Sequence, residues 1–497
     1  MNDFFRRASR RRASASHVAS FAIAAVILHS GVAYAQTTPT QRQAAASVLA
    51  AIERQQTQLD PSRVAQRLAT GTDAERDRLL QRVEQNWKRG GMEALSDWIG
   101  RNPEVGFKEF KAVDTLTKVL RAAGFRVDSG VAGLATAFVA TWESPAGANG
   151  PTLGLIGEYD ALRGTLGDFH GDQHNAQTPV AIAAARAIME LMTERRIPGR
   201  IRIFGTPAEE VGPPTKTTMQ TAGVFRGTDI LVRSHGSGGN TRRARAGFGV
   251  CCLNINEVKY VFKGRPAHQL QSWNGRNALE AAVMFYTAVD RLRSSLRPET
   301  SIQGVIPEGG IAPNVVPDRA VVDYYLRYPD EVYLAHVDSM VARAARGAAL
   351  ATGTQVTLER YGEYRDGITL GTLEELTFAY AKQLGAPRLA PEPDRPAGYE
   401  ETAYLSRDVP GVGVSVASSN SANHTYEMTA DNFNEIGHTA FLLDAKIMAA
   451  VLYHFLVDAN FRAQVQSEHG TMKLLFDQYL AALRQAYNAE LRLSTPP

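Results

Sequence analysis

The sequence predicts an α/β protein with a largely parallel central sheet, interrupted by an inserted α+β domain of ferredoxin-like pattern. Three observations predict this fold. Apolar strand-like runs alternate with helical stretches from about residue 133 to 250. The same alternation returns after residue 370, and between these parts the order is strand–helix–strand–strand–helix–strand. Strands separated by helices form parallel pairs, so residues 85–250 and 371–460 are expected to build one domain around an insertion at 251–370.

The first 35 residues have the three parts of a secretory signal. Five arginines precede a short apolar stretch, and Ala33-Tyr34-Ala35 fits an A-x-A cleavage pattern. The apolar stretch is too short for a spanning helix, although an uncleaved anchor remains an alternative. The sequence thus predicts a signal peptide over 1–35 and a periplasmic or secreted mature chain without stable membrane association. An arginine run at Arg10 to Arg12 leaves twin-arginine export open.

The segments that flank the predicted α/β domain are helical in pattern. Residues 36–84 are rich in Ala, Gln, Arg and Leu and are predicted to form an N-terminal helical segment. Residues 461–497 are predicted to form a C-terminal helical tail. Residues 36–100 as a whole have the pattern of two or three helices.

The bulk composition excludes some partners. Hydrophobic residues make up 44% and charged residues 21%, as in ordinary soluble globular proteins. The formal net charge is +3, but residues 1–35 have a net charge of +4, which leaves −1 for the remainder. No basic nucleic-acid-binding surface is therefore expected. The two cysteines, Cys251 and Cys252, are adjacent, and because adjacent cysteines rarely pair with each other, no disulfide framework is expected.

A loop after the predicted strand at 152–157 is rich in possible metal ligands. It contains His170, Asp172 and His174, separated by small or polar residues. Two-residue spacing in an extended segment would put Asp172 and His174 on the same side of the backbone. An imidazole and a carboxylate that converge at the carboxyl end of a strand can bind a metal. From these residues alone, a polar surface loop is an equally good interpretation.

Further ionisable residues lie directly after this predicted strand and after other predicted strands of the same domain. They are Glu158 and Asp160, the pair Glu209-Glu210, His235, and, after a much later strand, His424. Adjacent carboxylates on a loop point in different directions, so one can bind a metal while its neighbour acts as a base on water. Each residue taken singly is more often structural or solvated. Their recurrence at successive strand ends is what favours a site.

Together these residues resemble the ligand series of the dinuclear metallo-amidohydrolases, which include aminoacylases. The branch of p-aminobenzoyl-glutamate hydrolase and the auxin–amino acid conjugate hydrolases is most similar, through the segments GEYDAL, H-x-x-x-H-N, GGIAPNVVP and AKIMA. The resemblance covers about residues 85–460. It implies a metallopeptidase-type catalytic domain and an inserted lid or dimerisation domain.

The resemblance also implies a dinuclear site with two divalent ions, zinc or manganese, with cobalt possible. Asp172 would bridge the ions, and the other ligands would be His174, Glu210, His235 and His424. Glu209 would be the general base that activates water and then the acid that protonates the leaving amine.

Three residues of the inserted domain match functional positions of the same family. His268 matches a histidine that reaches across a dimer to polarise the scissile carbonyl. Asn314 and Arg327 match positions that hold the substrate carboxylate or the tetrahedral intermediate. A structural role remains an alternative for each of the three.

The chain departs from the branch at several positions. Asp172 stands where the branch usually has cysteine, and a hard carboxylate suits zinc, manganese or cobalt. Gln173 replaces a glycine, and Gly236 replaces a proline. A large insertion of p-aminobenzoyl-glutamate hydrolase is absent between Leu389 and Tyr399, which leaves the substrate preference open.

The expected function is a periplasmic metal-dependent amidohydrolase that cleaves N-acyl or N-aroyl amino acids, such as p-aminobenzoyl-glutamate-like compounds. The expected partner is a second copy of the chain, bound through the inserted domain. A dipeptidase or carboxypeptidase with the same centre is the alternative enzyme. A catalytically silent binding protein is the alternative of another class, against which the retained Glu209 argues.

Overall fold

The computed structural model describes residues 38–249, 252–391 and 401–493. The predicted signal peptide, residues 1–35, lies outside the described residues. The described helices are α1 (Pro39–Leu59), α2 (Pro61–Thr70), α3 (Ala74–Lys88), α4 (Met92–Arg101), α5 (Phe110–Ala122), α6 (His174–Arg195), α7 (Thr215–Thr221), α8 (Ala278–Leu292), α9 (Glu331–Thr352), α10 (Gly371–Gln383), α11 (Glu401–Leu405), α12 (Tyr426–Asp431), α13 (Glu435–Val457), α14 (Ala459–Ala486) and α15 (Asn488–Leu493). The described strands are β1 (Arg126–Ser129), β2 (Phe138–Glu143), β3 (Thr152–Gly157), β4 (Arg200–Gly205), β5 (Ile230–Ser234), β6 (Thr241–Arg243), β7 (Asn254–Lys263), β8 (Ser301–Glu308), β9 (Arg319–Tyr328), β10 (Gln355–Tyr364), β11 (Leu389–Pro391) and β12 (Gly411–Val414).

The central sheet has the strand order β1-β2-β4-β3-β5-β12. Strands β4, β3, β5 and β12 run parallel to one another, whereas β1 pairs with β2, and β2 with β4, antiparallel. The antiparallel edge arises because the short connection between β1 and β2 leaves no room for a crossover helix. The predicted α/β fold with a largely parallel sheet is confirmed.

Two long helices cover one face of this sheet. Helix α6 packs on β3, β4 and β5, and α13 packs on α6 and β5. Within the described ranges, α13 is the one helix long and apolar enough to cross a membrane, yet 89% of its apolar window is buried inside the protein. Its apolar composition therefore serves the core.

Four helices precede β1 in residues 39–101, one more than the sequence pattern indicated. Helix α1 begins with a capping box, in which Thr38 and Gln41 each accept a backbone N–H of the other at 3.0 Å. Helix α1 packs on α14, and both α3 and α4 pack on α6. The N-terminal helices thus extend the core of the domain that contains the central sheet.

The inserted segment forms a second sheet of order β10-β7-β9-β8, in which all neighbours are antiparallel. Helices α8 and α9 pack on each other and on strands of this sheet. This is the predicted α+β arrangement, with β8 at an edge of the sheet. Cys252 is disulfide-bonded, which the sequence did not lead us to expect, and Cys251 lies outside the described residues.

Candidate metal centre

The five predicted ligands lie together at the carboxyl edge of the central sheet, in loops that follow β3, β4, β5 and β12. The distances from Asp172 oxygens to Nε2 atoms are 3.0 Å for His424, 3.5 Å for His174 and 3.9 Å for His235. Oxygens of Glu210 lie 3.7 Å from His424 Nε2 and 3.9 Å from His174 Nδ1. The parallel strands gather these residues because their carboxyl ends meet at one edge.

The loop between Asp172 and His174 is not extended as predicted. Gln173 has φ 72° and ψ 3°, in the left-handed region, and α6 begins at His174. Both ligands nevertheless lie in the cluster, with His174 Nε2 3.5 Å from Asp172 Oδ1. Gly171 allows the loop of His424 to approach: its carbonyl accepts the His424 N–H at 2.9 Å, and a Cβ there would lie 2.9 Å from His424 Cα.

His174 is held by two carboxylates that the sequence placed at a strand end without assigning them as ligands. Its Nε2 lies 3.2 Å from Glu158 Oε2, and its Nδ1 lies 3.3 Å from Asp160 Oδ1. Glu158 also forms a 2.6 Å ion pair with Lys216, and both side chains are fully buried. Lys216 was missed because a lysine among the threonines of α7 has the pattern of a solvated helix. The Asp160 backbone carbonyl also lies within hydrogen-bond distance of His174 Nδ1, at 3.2 Å, and these contacts fix the ring orientation of His174, as groups around metal-binding histidines commonly do.

The loop that contains Glu209 and Glu210 is fixed by Asp160 and by one further carboxylate, that of Glu109. The Glu210 N–H donates to Asp160 Oδ2 at 2.9 Å, and the Ala208 N–H donates to Glu109 Oε1 at 2.8 Å. Ala208 has φ 56°, which a residue with a side chain rarely adopts. Glu109 is buried and was not singled out from the sequence. Its neighbours in sequence gave no signal of a role beside the site.

The charges of the cluster shift the pKa values of its members. Burial acts to raise the pKa of Asp172, but the charges of His174, His235 and His424 outweigh it and lower this pKa. Burial and the charge of Asp172 raise the pKa of Glu210 to about 8. Burial acts to lower the pKa of His174, yet the surrounding carboxylates raise it well above its ordinary value. The cluster without metal therefore binds protons that a cation would displace.

The donor set fits divalent metal ions. Among the described residues, two groups have ligand atoms close enough to share an ion: Asp172, His174 and Glu210, and Glu158, His174 and His235. Asp172 Oδ1 and His174 Nε2 are buried without a hydrogen-bond partner. Buried polar atoms usually have partners, so these atoms suit coordination to a cation. Imidazole and carboxylate are ligands of zinc, and carboxylate also of manganese.

Glu209 and His170 belong to neither of these two groups of described residues. Glu209 is 8% exposed and lies next to Glu210 in the chain. His170 is buried, and burial lowers its pKa to about 4. The His170 carbonyl accepts hydrogen bonds from Thr429 and Asn432, which joins this loop to α12 and the turn after it. Glu209 is thus a buried carboxylate next to the ligand Glu210 in the chain, and the His170 carbonyl holds the loop of Asp172 against α12.

The structure does not bring the three predicted residues of the inserted domain into this cluster. His268 is exposed, and its Nδ1 accepts the N–H of Leu270 at 3.2 Å. Asn314 is exposed in the loop before β9. Arg327 lies in β9, with its guanidinium 6.0 Å from the centre of the Tyr325 ring. Within the described residues, no polar contact joins any of them to the metal ligands.

Known proteins resemble the chain in sequence and fold. The model of the M20 peptidase dimerisation domain matches residues 249–352. The Xaa-Arg dipeptidase of Mus musculus is 31% identical over 387 residues, which cover 75% of this chain and 86% of the mouse protein. One of the subunits of p-aminobenzoyl-glutamate hydrolase from Escherichia coli (strain K12) is 29% identical over 449 residues, 76% of this chain and 91% of that protein.

A solved structure from Bacillus subtilis, described as a dinuclear metal binding peptidase from the M20 family, has the same fold. Its TM-score is 0.51 at 18% identity, over 78% of this chain and 99% of its own. The mouse relative is matched over most of its length, which is what shows the family. The chain belongs to the M20 family and is a metal-dependent hydrolase that acts on amide or peptide bonds.

Proposed function

We propose that this protein hydrolyses the amide bond of N-acyl or N-aroyl amino acids, with p-aminobenzoyl-glutamate-like compounds as the substrate class. One observation supports the chemistry most directly: Glu209 is a buried carboxylate and the chain neighbour of Glu210, whose oxygens lie 3.9 Å from His174 Nδ1 and 3.7 Å from His424 Nε2. The similarity to p-aminobenzoyl-glutamate hydrolase supports the substrate class.

The proposed centre holds two divalent ions, zinc or manganese, with cobalt as a possible substitute. Asp172 lies within 3.9 Å of three histidines, which suits a ligand shared between two ions. The Bacillus subtilis protein is described as dinuclear, and this supports the same number here. Such ions polarise a carbonyl and lower the pKa of water.

In the proposed mechanism Glu209 moves the proton. A carboxylate oxygen of Glu209 removes a proton from the attacking water and then delivers it to the nitrogen of the leaving amine. Burial excludes bulk water from this carboxylate, which makes its hydrogen bond to the attacking water stronger. Glu210 does not compete for this role, because its oxygens face His174 and His424.

The inserted domain is proposed to join two copies of the chain. Its edge strand β8 and helix α8 expose apolar side chains, namely Val283, Met284, Tyr286, Val305 and Ile306. The two elements share one surface, because the Tyr286 hydroxyl donates to the Gly304 carbonyl at 3.0 Å. An exposed edge strand pairs readily with another chain. His268 and Asn314 of one copy would then serve the metal centre of the other.

The dimer surface is tested by introducing charge. We expect Val305→Asp to give a monomer in analytical ultracentrifugation, because a buried unpaired carboxylate is costly in an interface. Leu350→Asp is the matched control, since Leu350 is 85% exposed on α9, outside this surface. A Val305→Asp protein that stays dimeric, or a Leu350→Asp protein that dissociates, would contradict the assignment.

The substrate class is tested by measuring hydrolysis of N-acyl amino acids, p-aminobenzoyl-glutamate and dipeptides with metal-reconstituted protein. We expect the acylated compounds to be cleaved with the higher kcat/KM, and Glu209→Ala to abolish the activity. A dipeptidase is the second candidate, favoured by the 31% identity to the Xaa-Arg dipeptidase. A preference for substrates with a free amino terminus would establish it instead.

We also propose that the mature protein is periplasmic or secreted, on the basis of the signal pattern in residues 1–35. Fractionation of cells that express the full chain tests this. We expect the mature protein outside the cytoplasm with Gln36 as its first residue. A cytoplasmic protein that retains residues 1–35 would contradict the proposal.

A further inference from the structure

Gln173 occupies a backbone conformation that favours glycine, between two ligands of the metal centre. Its φ of 72° lies in the left-handed region, where a side chain is disfavoured. The residue is nevertheless a glutamine and is fully buried. No side-chain cap is formed with the first turn of α6, which begins at the next residue. The side chain must therefore be stabilised elsewhere in the fold.

The side chain of Gln173 reaches across the site to α13. Its Nε2 donates to Asp444 Oδ2 at 3.0 Å and lies 3.5 Å from Ser234 Oγ. Asp444 is fully buried, and its Oδ1 accepts the Val416 N–H at 3.1 Å. Ser234 directly precedes His235, and Val416 lies just after β12. One buried amide thus joins the loop of Asp172 to α13 and to the end of β5.

Gly236 provides the space that Gln173 needs. A Cβ at position 236 would lie 2.7 Å from Gln173 Cβ and 2.9 Å from Met428 Cε, closer than real Cβ atoms approach. Gln173 Cβ is attached to the backbone that positions Asp172 and His174, so it cannot move without moving these ligands. The absence of a side chain at 236 and the presence of one at 173 are therefore coupled.

We infer that Gln173 is a positioning residue of the metal centre, size-matched to Gly236 and held by Asp444. The inference rests on the proposed metal centre and concerns how its loop is held. Gln173 touches neither substrate nor ion; it acts through the backbone of the two ligands beside it. Gly236 in turn follows His235, so the pair also couples the loop after β3 to the loop after β5.

A double-mutant cycle tests the size match, with Co²⁺ as the probe. We expect Gly236→Ala to lower the Co²⁺ affinity at least about tenfold and to alter the visible spectrum of bound Co²⁺. We expect Gln173→Gly to restore both in the double variant, because the obstructing Cβ is then gone. Gly413→Ala is the matched control, since a Cβ there meets no atom closer than 3.5 Å.

The size match would be overturned if Gly236→Ala lowered the Co²⁺ affinity equally in the wild-type and Gln173→Gly backgrounds, or did not lower it at all. A Gly236→Ala protein that folds only in the Gln173→Gly background would count as rescue and support it. If the wild-type protein binds no Co²⁺, the proposed metal centre fails. In that case the midpoints of thermal unfolding of the same metal-free variants replace the Co²⁺ affinities in the cycle, and they test the size match of Gln173 and Gly236 without the metal.

Gln173→Met tests the link to Asp444 separately from the size match. Methionine has a similar volume but cannot donate to Asp444, so the contact with Gly236 is retained while the hydrogen bond is lost. We expect a lower Co²⁺ affinity in Gln173→Met and no further loss when Asp444→Asn is added, because the asparagine oxygen can still accept the Val416 N–H. Wild-type Co²⁺ affinity and spectrum in Gln173→Met would contradict the role of the hydrogen bond.

Discussion

The carboxyl edge of the central sheet and the inserted domain each hold residues that match functional positions, but only the first brings them together. Five ligands from four loops lie within 3.9 Å of a partner at the sheet edge. His268 and Asn314, in contrast, are exposed on the inserted domain. A parallel sheet gathers distant residues in one chain, whereas the inserted domain would need domain closure or a second chain to contribute.

The largest expected effect is on kcat, and it distinguishes the proposed base Glu209 from the metal ligands at the sheet edge. We expect Glu209→Gln to lower kcat about a thousandfold and to leave metal affinity unchanged, because an amide cannot accept the proton from water. Glu210→Gln is the comparison, and it should lose metal affinity. Isothermal titration with Zn²⁺ and steady-state kinetics distinguish the two. Loss of metal from Glu209→Gln would show that Glu209 is a ligand instead.

The contribution of the inserted domain is tested by mixing two inactive variants. We expect His268→Ala to lower kcat about a hundredfold, because it removes a donor to the developing oxyanion. When His268→Ala and Glu209→Ala chains are refolded together, roughly a quarter of the sites become complete if His268 acts on its partner's centre. Activity that does not recover on mixing would place His268 in its own subunit's site or outside catalysis.

The sheet edge should also bind metal more tightly as the pH rises. The pKa of Glu210 is raised to about 8, and that of His174 lies well above its ordinary value. Both groups must lose a proton to become ligands. For each of these protons, the apparent metal affinity therefore falls about tenfold for every pH unit below the pKa of the group that holds it. Zn²⁺ titrations from pH 6 to 9 measure this, and proton release in weak buffer provides a check. An affinity that is independent of pH below 8 would contradict these protonation states.

The sequence predicted the location of a site residue correctly where that location depends only on the end of a strand. Strand ends predicted the neighbourhood of Asp172, Glu210 and His235, because a parallel sheet fixes where its loops emerge. The pattern gave no indication of Lys216, which is fully buried opposite Glu158 although its helix has a solvated pattern. Buried charges depend on partners distant in sequence, and no local pattern encodes them.

The two positions beside the ligands at which the chain departs from its branch of the family also could not be interpreted from local sequence. Gln173 and Gly236 each look like an isolated departure in the sequence, 63 positions apart by their numbers. The structure places a Cβ at 236 within 2.7 Å of Gln173 Cβ, so the two departures are accommodated together. The extended conformation predicted around Asp172 was wrong for a related reason, since the hydrogen bond to Asp444 stabilises a turn that local pattern does not favour.

The smallest expected effect concerns Glu109, which holds the loop of Glu209 through the Ala208 N–H. Burial raises the pKa of Glu109 to about 7, and the charge of Asp160 acts in the same direction. A carboxyl whose pKa is higher in the folded state stabilises the fold fully below its ordinary value of 4.5, and this contribution is lost as the pH rises through 7. We therefore expect the free energy of unfolding of the metal-free protein to fall between pH 4.5 and 7, and Glu109→Gln to flatten that fall. Glutamine can still accept the Ala208 N–H, so the loop should remain in place and kcat should change little.

Denaturant titrations in the presence of a chelator measure this pH dependence of the free energy of unfolding, with Glu53→Gln on the exposed side of α1 as the control. Identical slopes for Glu109→Gln and wild type would show that Glu109 stays ionised on folding.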